Sequence, residues 1–321
     1  MQAKKKRFGQ VRPWQKGFII RLGIDLGGTK IEILVIDVVG HEVFRQRVIT
    51  PKNDYAATIR AIVSLIASAE EEIKQQCNVG ICTPGSISPA SGLLRNSNSV
   101  CLNNKPFKQD LEKAIGKEIR ISNDANCFAL SEAIDGAAED SQVVFGIIIG
   151  TGVGAGIVVN KKVLVGTNAI GGEWGHNPLP WPEKDELELT KCWCGQHGCI
   201  ETFLSGTGLE ADFKRSTGRV LSAEEIDALA TAGDMSAEDV WARYEHRMAR
   251  CLAQVINLLD PDSIVIGGGM SNIRRLYENI PERWEQWVFS DRVNTKLIPP
   301  KYGDSSGVRG AAWLWDSKVL E

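Results

Sequence analysis

The 321-residue sequence has no apolar run approaching the roughly 20 residues that a membrane-crossing helix needs. It has no surplus of positive charge either. Its 37 Lys and Arg against 40 Asp and Glu give a net charge of -3, which argues against nucleic acid or an anionic membrane as the main partner. The basic start, residues 1–17, carries Lys4, Lys5, Lys6, Arg7, Arg12 and Lys16 and no acid, but residues 8–17 supply no apolar h-region after the first charges. A secretory signal is therefore not expected, and a disordered extension, or translated sequence upstream of the true start, is expected there. Nothing marks the eight cysteines for an oxidising compartment. Five of them (Cys77, Cys82, Cys101, Cys127 and Cys251) are scattered in apolar surroundings, as reduced cytoplasmic thiols are. The phosphate loop G-x-x-x-x-G-K-[ST] is missing as well. These absences leave a cytoplasmic globular protein, long enough for two domains with a sizeable core.

The other three cysteines form the most pointed feature of the chain. Cys192, Cys194 and Cys199 follow a C-x-C-x4-C spacing, with His176 upstream. Three thiolates and one imidazole are the complement of a closed, tetrahedral structural zinc site, and the intervening glycines let a short loop fold around an ion. A disulfide or unrelated buried thiols are the alternatives, and the tight clustering favours metal. His197, inside the knuckle, competes with His176 for the fourth position. We favour His176, because His197 sits in a loop too tight to bend back onto its neighbours' metal. Glu173 and Glu201 flank the ligands, so a metal here would fix two acids on an otherwise loose Gly/Pro-rich loop.

Periodicity organises the rest. Residues 19–24, 31–37 and 42–49 read as three strands joined by tight turns. Asp54 reads as an N-cap for a helix carrying Ile59, Ile62, Val63, Ile66 and Ile73 at helical spacing. A strand at 79–83, a helix at 107–115, a strand at 118–122 and a helix at 125–138 complete a βββαβαβα order. The pattern restarts with an apolar strand at 143–149 and a returning hairpin over 157–165. The cysteine stretch follows as an insertion, then helical sequence over 223–259 and a strand at 263–266. This weak internal repeat predicts two similar α/β lobes across a cleft. The expected boundaries are 18–122 with 307–321 for the first lobe and 123–306 for the second.

Three glycine turns end strands. Asp25-Leu26-Gly27-Gly28-Thr29-Lys30 offers backbone N–H groups and a hydroxyl for phosphate oxygens, and Asp25 can hold hydrated Mg²⁺. The turn at Gly150-Thr151-Gly152 continues to Gly156 and fits G-x-G-x-x-A, but strand-like Ile157-Val158-Val159 follows where a dinucleotide site needs a helix. The third is Gly267-Gly268-Gly269. Either of the first two alone could be a plain hairpin; all three together favour a nucleotide cleft. Asp124, in Ser122-Asn123-Asp124-Ala125-Asn126, is the candidate general base. It could equally be only an N-cap. A carboxylate there can take a proton from a sugar hydroxyl as it attacks a γ-phosphate, with Asn123, Glu173 and Glu201 hydrogen-bonding a polyhydroxylated ligand. Trp174 and Trp181 read as packing residues that could also stack on a sugar.

At these residues the sequence resembles the ROK family of repressors, open reading frames and kinases. The motifs are Asp25 to Lys30, Asn123-Asp124, Gly150 to Gly156, Glu173-Trp174-Gly175-His176, the knuckle from Cys192 to Glu201, and Asp260 to Gly269. They span about residues 20–315. The resemblance implies an actin-like (ribonuclease H-like) ATPase fold, two α/β lobes around a central cleft with a zinc-knuckle insertion. It implies ATP and Mg²⁺ between the lobes, Asp124 as base, and a homodimer. It also implies sugar contacts from Asn123, Glu173, His176 and Glu201, with His176 binding zinc as well. Asn98, closing the loop 86–98, joins the sugar contacts. Within the family, Thr83 to Pro89, Glu173 to Pro180 and Gly303 to Trp313 look most like bacterial fructokinases that also accept mannose. The expected activity is therefore ATP-dependent phosphorylation of the C6 hydroxyl of fructose or mannose. A sugar-responsive repressor, the family's other branch, would need a helix-turn-helix module, for which the residues ahead of the first strand are too few. A non-catalytic sugar-binding protein is the third reading, and Asp124 with both phosphate turns argues against it.

Overall fold

The computed structural model describes residues 20–186 and 190–315. The basic start and the final residues of the expected first lobe lie outside these. The chain folds as two compact units: residues up to Asp135 with Val165–Ile170 and the stretch from Ser305 on, and Gly136–Leu164 with Gly171–Asp304.

The first unit opens with the expected meander, β1 (Arg21–Leu26), β2 (Lys30–Ile36) and β3 (Glu42–Ile49). Its second turn is set by Asp37, whose carboxylate accepts from Val39 and His41 N–H, and by Gly40 at φ +88. Helix α1 (Tyr55–Ile73) begins at Asp54, whose side chain accepts from Ala57 N–H, and ends at Lys74 in the left-handed region. Its Ile62, Leu65, Ile66 and Ile73 are buried, each contributing roughly 1.5–3 kcal/mol relative to exposure. Then come β4 (Asn78–Cys82), a small ribbon of β5 (Ser86–Ile87) and β6 (Leu94–Arg95), α2 (Phe107–Ile115), β7 (Ile119–Ser122) and α3 (Asp124–Ile134).

The second unit holds β8 (Val143–Ile149), β9 (Val153–Val159) and β10 (Lys162–Val163). The returning strand thus starts four residues before the position its β-branched run suggested, because pairing begins directly at the glycine turn: Val153 already faces Ile149. After the cysteine stretch come α4 (Glu201–Leu204), α5 (Gly206–Thr217), α6 (Ala223–Thr231), α7 (Met235–Leu259), β11 (Ser263–Gly267), α8 (Arg275–Trp284) and β12 (Lys296–Ile298). Helix α9 (Ser306–Trp313) returns to the first unit.

The two five-stranded sheets share one topology, β3-β2-β1-β4-β7 and β10-β9-β8-β11-β12. In each, the first three strands are antiparallel and the last two join parallel to the first. This is the ribonuclease H-like order, and the repeat read from sequence is real at the level of the sheets. Of the parallel strands, β11 is buried along its whole length and β4 in all but its first residue, as expected where helices cover both faces.

One expected boundary moves. Residues 123–135 belong to the first unit, because α3 packs on α9 at backbone distance: a Cβ placed on Gly310 would lie 1.7 Å from the Cys127 carbonyl oxygen. Helix α9 is seated on the first sheet in the same way, with Gly23 facing the Val308 carbonyl and Gly80 that of Ala311. The Ser306 hydroxyl donates to buried Glu132 (2.7 Å), and Arg309 Nε donates to Asp135 (2.8 Å). Residues 165–170 join this unit too, where Arg95 Nη2 donates to the Asn168 carbonyl.

Candidate active site and metal centre

In the second unit, His176, Cys192, Cys194 and Cys199 bring one ligand atom each to within 4.8 Å of one another. Cys192 Sγ lies 3.6 Å from His176 Nδ1, and Cys194 Sγ 3.6 Å from Cys199 Sγ. Zinc–sulfur bonds of ~2.3 Å and a zinc–nitrogen bond of ~2.05 Å at tetrahedral angles put such atoms about 3.8 and 3.6 Å apart. The donor set therefore fits a zinc ion, and the histidine grouped with the three cysteines is His176, whereas His197 pairs with Lys191 in the loop. Trp193 stands edge-on against the His176 ring at 5.0 Å.

The loop that carries this cluster is anchored behind it by buried charge. Glu186 receives Arg247 Nε (2.7 Å) and both Arg250 Nη2 contacts (2.7 and 2.8 Å), while Arg247 also reaches Asp212 (2.7 Å). The arginines lower the carboxyls of Glu186 and Asp212 against the upward push of burial. Trp174 is core, edge-on to Phe145 at 5.7 Å, and Trp181 stacks on Trp287 at 5.3 Å. Trp174 is thus a packing residue, whereas Trp181 keeps about half of its surface exposed.

Glu201, the first residue of α4, lies between the His176–cysteine cluster and the glycine turn at Gly150–Gly152. Its Oε1 is 3.5 Å from Cys192 Sγ, and its Oε2 accepts from Val153 N–H at 3.1 Å. Glu173 is exposed at the head of the short 3₁₀ turn Trp174–His176. The turn itself closes with Gly150 N–H donating to Gly152 O. No helix follows it, as expected for a strand pair and not a dinucleotide fingerprint.

The second and third glycine turns meet. Gly268, at φ +78, has no room for a Cβ, which would fall 2.4 Å from the Ile149 carbonyl oxygen. A cavity of about 160 Å³ results, lined by Gly150, Thr151, Gly206, Thr207, Gly269 and Met270 among others. Gly152, Gly267 and Gly268 adjoin this lining without entering it. Gly206 and Thr207 were not foreseen. The signal was present in Ser205-Gly206-Thr207-Gly208, a glycine/hydroxyl turn where Ser205 caps α5 by accepting from Gly208 N–H.

In the first unit, Asp25 lies at the carboxyl end of β1, level with Cys82 on β4. Burial, with Asp124 nearby, raises its carboxyl to about 6, while the Cys82 thiol hydrogen-bonds the ionised form. The following turn closes through Gly27 N–H to Lys30 O and is held by Thr50, whose hydroxyl donates to Gly27 O at 2.7 Å. Thr29 and Lys30 flank it, Thr29 accepting from Thr50 N–H and Lys30 directed to Glu32 at 3.8 Å. Gly28 and Asn98, expected to serve phosphate and sugar, line one cavity of about 400 Å³ with Thr50, Lys52 and Ser99.

At the start of α3 the capping role falls to Asn123, whose side chain accepts from Asn126 N–H at 2.8 Å. Asp124 is the next residue, its side chain within reach of solvent and its Oδ1 accepting from the adjacent Ala125 N–H. Displacement of water by the surrounding protein raises its carboxyl above the ordinary range. The capping explanation for Asp124 thus passes to its neighbour.

The chain belongs to the ROK family, which it matches over residues 21–318. With that family it shares the actin-like fold and a sugar-kinase activity. It is 40% identical over 305 residues to an N-acetyl-D-glucosamine kinase of Pasteurella multocida, covering 93% of this chain and 100% of that one. The enzyme of that name from Yersinia enterocolitica is 38% identical over 300 residues, covering 92% and 99%. Among solved structures, a ROK hexokinase from Thermus thermophilus superposes with TM-score 0.82 at 29% identity, covering 92% of this chain and 97% of that one. A ROK glucokinase from Streptomyces griseus, solved with glucose and AMPPNP, gives 0.71 at 26%, covering 93% and 99%. Among the described residues no helix is long and apolar enough to cross a membrane, and none of the eight cysteines is disulfide-bonded.

Proposed function

We propose that this sugar kinase transfers the γ-phosphoryl group of ATP to the C6 hydroxyl of a hexose, with Asp124 as general base. The observation that carries the assignment is local. Asn123 caps α3, so the Asp124 carboxylate is not needed as a cap, and the protein around it raises its proton affinity. In this reading Asp124 takes the hydroxyl proton as the oxygen attacks phosphorus, and ADP leaves with the bridging oxygen. Asn98, Asn123, Glu173, His176 and Glu201 hydrogen-bond the sugar. The cavity lined by Gly150, Thr151, Gly206, Thr207 and Gly269 takes the nucleotide, its backbone N–H groups and hydroxyls suiting phosphate oxygens. Asp25 and the turn to Lys30 face the phosphates and a Mg²⁺ ion, which when bound neutralises developing charge. His176, Cys192, Cys194 and Cys199 hold structural zinc.

Fructose, with mannose second, is the substrate we propose, on the likeness of three motifs (Thr83 to Pro89, Glu173 to Pro180 and Gly303 to Trp313) to fructokinases. The names of the relatives at 38% and 40% identity favour a second reading, N-acetylglucosamine. ADP release with Mg-ATP decides between them: turnover on fructose above mannose supports the first, turnover confined to N-acetylglucosamine the second. No turnover on any hexose, with zinc-replete protein, would refute the kinase assignment. The family resemblance further suggests a cytoplasmic homodimer without a nucleic-acid partner, testable by sedimentation and gel shift.

A further inference from the structure

We infer that Glu201 is a positioning residue that ties the metal centre to the Gly150–Val153 turn, so that metal occupancy governs the affinity for nucleotide. This rests on the reading that the turn holds the nucleotide. Glu201 follows the ligand Cys199 by two residues. The link to the metal site is the chain itself through Cys199. One carboxylate oxygen accepts from Val153 N–H (3.1 Å), and the other lies 3.5 Å from Cys192 Sγ, which donates to it only as a thiol and not as a metal-bound thiolate. The fit depends on Gly152, where a Cβ would lie 2.5 Å from Glu201 Oε2.

The segment continuing from Glu201 grips the rest of the turn. Gly206 N–H donates to Gly150 O at 2.8 Å, and the Thr207 hydroxyl donates to Thr151 O at 2.9 Å. Three polar groups of the turn, Gly150 O, Thr151 O and Val153 N–H, are thus engaged by residues 201–207. Helix α4, which starts this segment, has only 4 residues and cannot hold its own shape. Its fixed point in sequence is Cys199. The other ligand arm reaches the same strand: Gly175, next to His176, abuts the Val153 carbonyl, where a Cβ would come within 2.2 Å of the oxygen. Both arms of the knuckle therefore converge on Val153, one at its N–H and one at its carbonyl.

The test reads the turn directly and without turnover. Amide hydrogen exchange at Val153 and Gly206, and ADP binding by calorimetry, are compared for zinc-loaded protein, chelated protein and two zinc-loaded variants. Chelation and Glu201→Ala should each speed exchange at both amides and weaken ADP binding roughly 10- to 100-fold, as for one lost hydrogen bond to a charged group. Zinc content in Glu201→Ala should remain at one per chain. Glu201→Gln keeps an acceptor oxygen and should restore most of the protection. Unchanged exchange in a Glu201→Ala protein that retains zinc would overturn the strut, as would faster exchange with unaltered ADP affinity. Failure of zinc-loaded wild type to bind ADP at all would instead remove the nucleotide reading on which the inference stands.

Discussion

Replacing Gly310 by alanine tests whether the α3–α9 contact positions Asp124, the proposed base. A Cβ at residue 310 would lie 1.7 Å from the Cys127 carbonyl oxygen, 2.4 Å from its carbon and 2.8 Å from its Cα. Real Cβ contacts do not fall below 3.0 Å, so the helices must separate by about 1.3 Å, the difference of 3.0 and 1.7. All three opposing atoms are backbone, and no rotamer can relieve the overlap. Overpacking of this kind costs about 3 kcal/mol or more, and the Ser306–Glu132 and Arg309–Asp135 bonds would stretch with it. A loss of that size lowers Tm by roughly 6–12 °C in a protein of this class. Asp124 lies three residues before Cys127 on the same helix, so the shift also reaches the base. A displacement of ~1 Å costs on the order of 100-fold in rate. Thermal unfolding and kcat at saturating sugar read the two effects. Gly307→Ala, whose Cβ would meet nothing nearer than 3.6 Å, is the control for Tm. A Gly310→Ala protein with wild-type Tm and kcat would refute the close packing and the positioning argument together.

Asp124→Asn should lower kcat roughly 10²- to 10⁴-fold while sugar binding persists; an active variant would sink the base assignment. Because its surroundings raise the Asp124 carboxyl and the base works ionised, the acid limb of kcat/KM should fall above pH ~4, the ordinary carboxylate value, and a limb at or below it would contradict the site. Asp25 is pushed up to about 6 by burial, so the native state holds a proton that the unfolded chain has released. Its contribution is most favourable below about pH 4 and is lost as pH rises through 6. Asp25→Asn should then raise Tm at pH 8 without Mg²⁺ while depressing turnover, and a lower Tm would count against the sign. Glu186→Ala leaves Arg250, which is 0% exposed, without its carboxylate partner, while Arg247 keeps Asp212. Denaturant unfolding should show a loss of roughly 3–5 kcal/mol; a loss under 1 would mean the network does not anchor the loop.

The sequence by itself determined what depends on near neighbours. The meander β1–β3, the cap at Asp54 and the helix α2 were legible because alternation, helical spacing and capping chemistry act over a few residues. The cysteine knuckle was legible because its three thiols lie within eight residues of one another, and His176 could be preferred on loop length alone. Tertiary structure decided the rest. Whether Asn123 or Asp124 caps α3 turns on backbone angles that both residue types tolerate. That α3 belongs with the first sheet follows from Gly310, Gly23 and Gly80 meeting a helix nearly two hundred residues or more away in the chain, and no local pattern records such a pairing. The lining at Gly206 and Thr207 and the bond from Glu201 to Val153 likewise arise only when β8, β9 and α5 are brought together. Short-range preferences are written in adjacent residues, whereas a glycine's missing side chain takes its meaning from whatever distant backbone comes to lie against it.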